Sequence, residues 1–298
     1  MIERVDGRRV ASIFGTLVAI DLLTARRWQV MTQPWCPLSY IESLKLVLAS
    51  SALNVVVPSK LGGLAKAYFL KRDAAVAGKP ALALVVYERL LDLAVMSAVF
   101  IGVAGLNPVD SPLLKACLVV AAGVVLAFVA LHVVNVPKLP AINFLRRWPY
   151  AGRIVDLVDV FYLFHTSPLM AKARLVRIYL MTLLLWLVHS WQIVSVFHLI
   201  VPQVPSPEVL SKMLSAVFVG FLPVSTAGIG TRDLAIVHLF RHRIGYDEAV
   251  LVGGMTTLVR YVIPTLIGLP FLLTSGSWRA AGTPPPKKNV SASDPSFF

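Results

Sequence analysis

Apolar runs separated by short polar breaks, most of them holding glycine or proline, make up nearly the whole chain. Residues 10–23 form the first run. It is short for a span, which needs about 20 residues, and it carries Asp21. Basic residues precede it, and Arg26-Arg27-Trp28 follow it in place of a small-residue cleavage site. The run therefore reads as an uncleaved first span lacking its first turns, with Arg26, Arg27, Trp28 and Trp35 as interfacial anchors. Residues 41–57 predict a second helix, ended by Pro58, which has no N–H to donate and disfavours helix in the residue before it. Gly62-Gly63 then permits a sharp turn, and residues 64–70 are too few to cross a bilayer, so a re-entrant half-helix is expected there. Residues 80–106, 113–136 and 178–201 predict full spans, the first with Pro80 in its opening turn. Between the last two, the apolar residues of 154–164, with Asp156 and Asp159 three apart, predict a helix lying on the membrane surface. Residues 209–222 lead into a second broken element, and 249–274 form a last span, irregular around Pro264 and Pro270.

Two of these stretches echo each other. The first reads Pro58-Ser59-Lys60-Leu61-Gly62-Gly63 and continues to Glu88-Arg89-Leu90-Leu91-Asp92 inside an apolar helix. The second reads Pro223 to Gly228-Ile229-Gly230-Thr231-Arg232-Asp233 and continues to Arg260-Tyr261. Gly63 falls on Gly230 and Gly78 on Gly245 at one and the same offset, with Arg89 and Arg260 about one helical turn out of step. The expected architecture is all-α: a polytopic membrane helix bundle of about seven transmembrane helices plus two re-entrant broken helices related by an internal repeat (41–106 and 208–275). It forms one membrane domain over 1–280, with a disordered polar tail over 281–298.

Composition agrees. Of 298 residues 57% are hydrophobic and 14% charged, against roughly 25% charged in soluble domains, so lipid is the main solvent. The net charge of +13 has no nucleic-acid recognition motif to go with it, and nucleic acid is not an expected partner. The positive charge instead gathers in loops near 71–79, 137–177 and 241–247, while the loops near 107–112 and 202–207 carry no Lys or Arg. The positive-inside rule then places the N-terminus in the cytoplasm of a cell with a multi-pass inner (plasma) membrane protein. Cys36 and Cys117 offer no disulfide framework or metal spacing. His189 and His198, nine apart, are not spaced for a metal and read as core or interface histidines.

The chemistry lies in charges at membrane depth. Arg89 is about 14 Å and Arg260 about 18 Å along their helices, close to the midplane of a ~30 Å core. Each such charge costs roughly 2.5–3.5 kcal/mol unless it pairs or meets water. Arg89 can reach Asp92 at i,i+3, and Glu88 shares a face with Asp92. A half-helix beginning at Gly63 or Gly230 points free N–H groups and a partial positive charge into the membrane, which suits a phosphate, and Lys60, Lys66 and Arg232 add charge. The candidate headgroup site is therefore Lys60, Gly62, Gly63, Lys66, Glu88, Arg89, Asp92, Gly228, Gly230, Arg232, Asp233 and Arg260. In it Arg89 and Arg260 hold the phosphate, and Glu88, Asp92 and Asp233 balance them.

These motifs, from Pro58-Ser59 through Glu88-Arg89-Leu90-Leu91-Asp92 to Gly228-Ile229-Gly230-Thr231-Arg232-Asp233 and Arg260, resemble the lysylphosphatidylglycerol synthase transmembrane-region family of flippase-like membrane proteins. The resemblance spans roughly residues 26–273, with Asp233 where the family usually carries Glu. It implies a lipid-translocating module whose substrate is a membrane lipid with an anionic or phosphate-bearing headgroup. A membrane transferase acting on a polyprenyl phosphate or phospholipid is the alternative. It lacks support, because no two aspartates bracket a single residue to hold a metal and no nucleophile set can be assembled. No metal or other cofactor is expected. A non-catalytic scaffold is the third reading, and a second copy of the chain or a partner enzyme is left open.

Overall fold

In the computed structural model, which describes residues 7–56, 62–74, 76–107, 111–134, 148–166, 170–221 and 228–273, every regular element is a helix. The helices are α1 (Gly7–Thr32), α2 (Tyr40–Val56), α3 (Gly62–Asp73), α4 (Gly78–Ala104), α5 (Pro112–Val133), α6 (Pro149–His165), α7 (Lys172–Ile200), α8 (Ser206–Val219), α9 (Thr231–Phe240), α10 (Tyr246–Thr257) and α11 (Ile263–Leu273), with a π-helical turn (Leu258–Val262) joining the last two. Local chemistry sets several starts. Ser39 Oγ accepts from the Glu42 N–H at 3.2 Å while the Glu42 carboxylate accepts from the Ser39 N–H at 2.7 Å, a reciprocal cap that opens α2. Proline occupies the first turn of α5 and of α8, where its missing N–H costs nothing.

The chain is a membrane helix bundle. Among the described residues, three helical stretches are long and apolar enough to cross a membrane: Pro112–Val133, Lys172–Ile200 and Tyr246–Leu273. Helices α1 and α4, with 26 and 27 residues, have the length as well but carry the charges discussed below. Helices α3 and α9, with 12 and 10 residues, reach only about 18 Å and 15 Å, too little to cross. The order helix, break, short helix, long arginine-bearing helix occurs twice, as α2–α3–α4 and as α8–α9–α10/α11.

One expectation is corrected, and two are located in the fold. α1 does not stop near residue 23: it runs to Thr32, with Arg27 and Trp28 buried rather than anchored at an interface. The last span is irregular at Leu258–Val262, ahead of Pro264, and Pro270 sits inside α11 without ending it. The Ile263 N–H bonds the Leu258 carbonyl five residues back. Pro264 has no N–H to offer the Arg260 carbonyl, so the α register loses a bond there in any case and a π turn costs little. The expected surface helix is α6, docked on α4 through Phe161, which stacks on Tyr87 at 5.3 Å between ring centroids.

Two hydrophobic clusters build the core. One gathers Trp28, Met31, Leu46, Phe69, Leu84, Leu91, Phe161 and Ile178. The other gathers Met96, Phe100, Phe197, Leu214, Ile236 and Phe240. Both α4 and α7 thread from one cluster into the other, so a polar layer placed on them lies between two apolar masses. The first and last parts of the chain meet where α11 crosses α2 and where α4 packs on α8. A Cβ at Gly268 would lie 3.0 Å from the Leu48 carbonyl carbon and 3.2 Å from the Ala52 nitrogen, both α2 backbone. Only a residue without a side chain allows this approach, and close packing of this kind is what holds helices together in lipid. Gly268→Leu should therefore separate the two helices and cost roughly 1–3 kcal/mol or more, read as a lower thermal midpoint of the purified protein in detergent.

Candidate functional site

The polar layer centres on the Glu88 carboxylate. Its Oε1 accepts from Arg27 Nη2 at 2.8 Å, Trp28 Nε1 at 2.6 Å and Lys66 Nζ at 2.9 Å, and its Oε2 accepts from Lys66 at 3.0 Å. Arg27 also donates to Asp92, through Nη2 at 3.1 Å and through Nη1, and to Thr182 Oγ1 at 3.0 Å. Lys66 Nζ stands 4.6 Å from the Trp28 ring centroid, a favourable place for a cation. Arg27, Lys66 and Glu88 are only 3%, 6% and 2% exposed, so the charges are out of solvent and must neutralise one another. Two cations, Arg27 and Lys66, meet two anions, Glu88 and Asp92, and the set is neutral.

This balance corrects the expected pairing. Asp92 takes Arg27 from α1 rather than Arg89 from its own helix. Arg89 is exposed, and among the described residues it has no hydrogen bond or ion pair. Its guanidinium lies instead against the start of α3, where a Cβ at Gly63 would sit 3.0 Å from Arg89 Nε. Glycine at 63 is thus what lets the charge lie beside a helix N-terminus. There the first N–H groups, beginning at Gly62, have no partner within the helix. The fields of Arg89 and Arg27 both reach Lys66, and so does that of the Asp21 carboxyl on α1, so Arg89 adjoins a network of mixed charge.

The second half uses its residues differently. Arg232, 3% exposed, donates to Asp233 Oδ1 at 3.0 Å and 2.7 Å, and also to Thr257 Oγ1 and the Gly253 carbonyl of α10. Asp233 accepts from the Gly230 N–H at 3.1 Å, which caps α9. A Cβ at Gly253 would come within 3.0 Å of Asp233 Oδ1, so that glycine admits the carboxylate. Gly228 and Gly230 adopt φ of +78° and +92°, the left-handed region that favours glycine, and a Cβ at Gly228 would meet the Gly220 carbonyl oxygen at 2.7 Å. Asp233 therefore balances Arg232, not Arg260. Arg260 lies in the π turn, half-buried, with no hydrogen bond or ion pair among the described residues. Lys60, Pro58 and Pro223 lie outside the described residues.

The π turn packs on α1 and α2, and the fields of Arg27 and Arg260 both reach His189 of α7. Arg27, Trp28 and Thr182 were not expected here. A signal existed for Arg27 alone: Glu88 and Asp92 are two anions that one neighbouring Arg89 cannot neutralise. Nothing in the sequence marked Thr182 or the indole of Trp28, whose role depends on a partner 60 residues away.

In comparisons with known proteins, the family model for the lysylphosphatidylglycerol synthase TM region matches residues 3–268. No curated protein and no solved structure matches the chain.

Glu88→Gln leaves Arg27 and Lys66 with too little negative charge in a buried site, which should cost about 3–5 kcal/mol. Arg89→Gln removes a charge that no side chain holds, and stability should stay within about 0.5 kcal/mol. Denaturant or thermal unfolding of the two variants in detergent checks the contrast.

Proposed function

The chain belongs to the lysylphosphatidylglycerol synthase TM region family, and from that premise we propose that it moves a lipid with a phosphate-bearing headgroup between membrane leaflets. One observation carries this reading. Arg89 remains an unneutralised cation beside the first turn of α3, although two carboxylates lie on its own helix within one turn of it. Arg89 stands about 16 Å from the start of α4, a depth at which a lone charge costs roughly 2.5–3.5 kcal/mol. The field of Glu88 reaches Arg89, but the carboxylate oxygens of Glu88 and Asp92 are bonded to Arg27 and Lys66 rather than to it. A phosphate from a lipid headgroup would relieve the cost, accepting from the guanidinium and from the free N–H groups that start at Gly62 and Gly63.

On this reading the site residues divide into two kinds. Lys66, Glu88, Asp92, Arg232 and Asp233 hold helices in place and are neutral within their own sets. Arg89 and Arg260 are the substrate-facing cations, one in each half. Acyl chains stay in hydrocarbon along faces such as that of α5, where Val119, Leu126 and Val133 are exposed, while the headgroup follows the cations. We place the protein in the plasma membrane with its N-terminus in the cytoplasm, following the basic loops.

Reconstitution into liposomes with acyl-labelled phosphatidylglycerol, read by accessibility of the label to a membrane-impermeant quencher, tests the role. Arg89→Ala should slow leaflet exchange at least about tenfold, equivalent to losing one charge-assisted hydrogen bond. Arg89→Lys should restore part of the rate, since it keeps the charge and loses the planar fork. Exchange by Arg89→Ala at the wild-type rate would remove Arg89 from the mechanism.

A further inference from the structure

Helix α6 is tied to the bundle by contacts near its C-terminal end, and one of them carries a titratable group. Phe161 stacks on Tyr87 of α4. The Tyr162 hydroxyl is shared between the Leu131 carbonyl, at 2.6 Å, and the Val134 carbonyl, at the end of α5 where the helix has no N–H left to offer them. His165 stands one turn past Phe161. Its ring lies nearly parallel to those of Phe161 and Tyr87, at 5.5 Å and 6.4 Å between centroids, and edge to face with that of His132 at 4.4 Å.

His132 is committed to other partners. Its Nδ1 lies 2.7 Å from the Phe128 carbonyl, which can only accept, so Nδ1 carries the proton. Nε2 then holds the lone pair of the neutral ring and accepts from the Tyr179 hydroxyl at 2.6 Å, and the Tyr179 oxygen accepts in turn from Tyr87 at 2.8 Å. Helices α4, α5, α6 and α7 meet in this cluster, and His132 has no lone pair left for His165. Nδ1 of His165 is itself buried without a hydrogen-bond partner. In the neutral ring that atom can be the lone-pair nitrogen, whereas the imidazolium must carry an N–H there with nothing to receive it. The gain of a cation facing an aromatic ring is smaller than the cost of a buried donor without an acceptor.

The groups that face His165 are Tyr87 from α4 and His132 from α5, with Tyr179 of α7 behind His132, and among the described residues none is a carboxylate. On α6 itself Asp159 is a third of a turn off the His165 face and Asp156 is on the opposite side. Burial and the neighbouring His132 hold the His165 imidazole below its ordinary value. We propose that His165 is a proton-sensitive latch: the neutral ring holds the last turn of α6 on the bundle, and uptake of a proton from solvent loosens it. The proton adds to the Nδ1 lone pair once the turn opens, which traps the open form, and returns to solvent when the pH rises. The docked form binds fewer protons than the open one. Docking is therefore complete above about pH 6.5, weakens as the pH falls past that value, and levels off below the lowered value of the docked ring. None of these residues belongs to the headgroup site, so the latch acts whatever the protein carries.

Hydrogen–deuterium exchange of the full chain in detergent micelles, at about pH 7.5 and about pH 5.5, tests the latch, with protection taken relative to the unstructured rate at each pH. Protection of residues 149–166 should fall roughly three- to tenfold at the lower pH, the share of one histidine over that interval. Protection of α11, which has no ionisable side chain, should stay constant. His165→Phe keeps the stack and cannot titrate, so α6 should be equally protected at both pH values. His165→Gln loses the stack, and α6 should be less protected but equally insensitive to pH. Equal protection of wild-type α6 at both pH values overturns the latch, and so does a pH response that persists in either folded variant. A fall that begins only below about pH 5 also overturns it, because carboxylates such as Asp156 and Asp159 titrate there. That onset is read from the wild-type chain alone and decides the matter even where a variant does not fold.

Discussion

One carboxylate shared by three donors governs the arrangement of the bundle. Glu88 receives Arg27 and Trp28 from α1 and Lys66 from α3 while it sits on α4. In a low-dielectric interior none of these groups can be left without the others, because an unmatched buried charge costs several kcal/mol. The two ends of the connection from α1 to α4 are thus fixed in register by electrostatics rather than by apolar contact, which in lipid offers little preference between one helix neighbour and another. Helix α7 joins the set through Thr182, and the two hydrophobic clusters close over the layer from either side.

The two halves solve the same problem with different chemistry. In the first, a lysine on the short helix meets a glutamate on the long one. In the second, the short helix carries both members of its pair, Arg232 and Asp233, and the long helix contributes only Thr257 and the Gly253 carbonyl. Glycine serves the same purpose in each. Gly63 admits a guanidinium beside α3, and Gly253 admits a carboxylate beside α9. The second long helix has no acid near Arg260, and its backbone departs from α geometry at that residue. The two stretches thus share the order of elements, but neither the glycines that approach charge nor the charges themselves correspond.

That difference separates structural charges from available ones. A membrane protein that must bind an anionic headgroup needs cations at depth that are not already neutralised, yet each such cation weakens the fold. Among the described residues of the candidate site, Arg89 and Arg260 carry that cost, while Arg27, Lys66 and Arg232 are paired within the protein. In the proposed function, headgroup affinity and bundle stability vary nearly independently, because they depend on separate residues.

Much of this was legible in the chain before any fold was known. Apolar runs longer than a bilayer needs can only be membrane helices, Pro58 and Gly62-Gly63 must break the backbone, and charges such as Glu88 and Arg89 inside an apolar run must find a partner or a polar ligand. Those conclusions follow from local covalent and solvation constraints, which a single segment carries by itself. The identity of the partner does not. Arg27 after an apolar run looks like an interfacial anchor and Arg89 looks like the mate of Asp92, since each reading costs the same when only neighbours in sequence are considered. Tertiary structure decided among them because Coulomb energy depends on distance in space. Helix α1 brought Arg27 to a carboxylate 61 residues away, which settled who neutralises Glu88 and left Arg89 and Arg260 without an ion pair among the described residues.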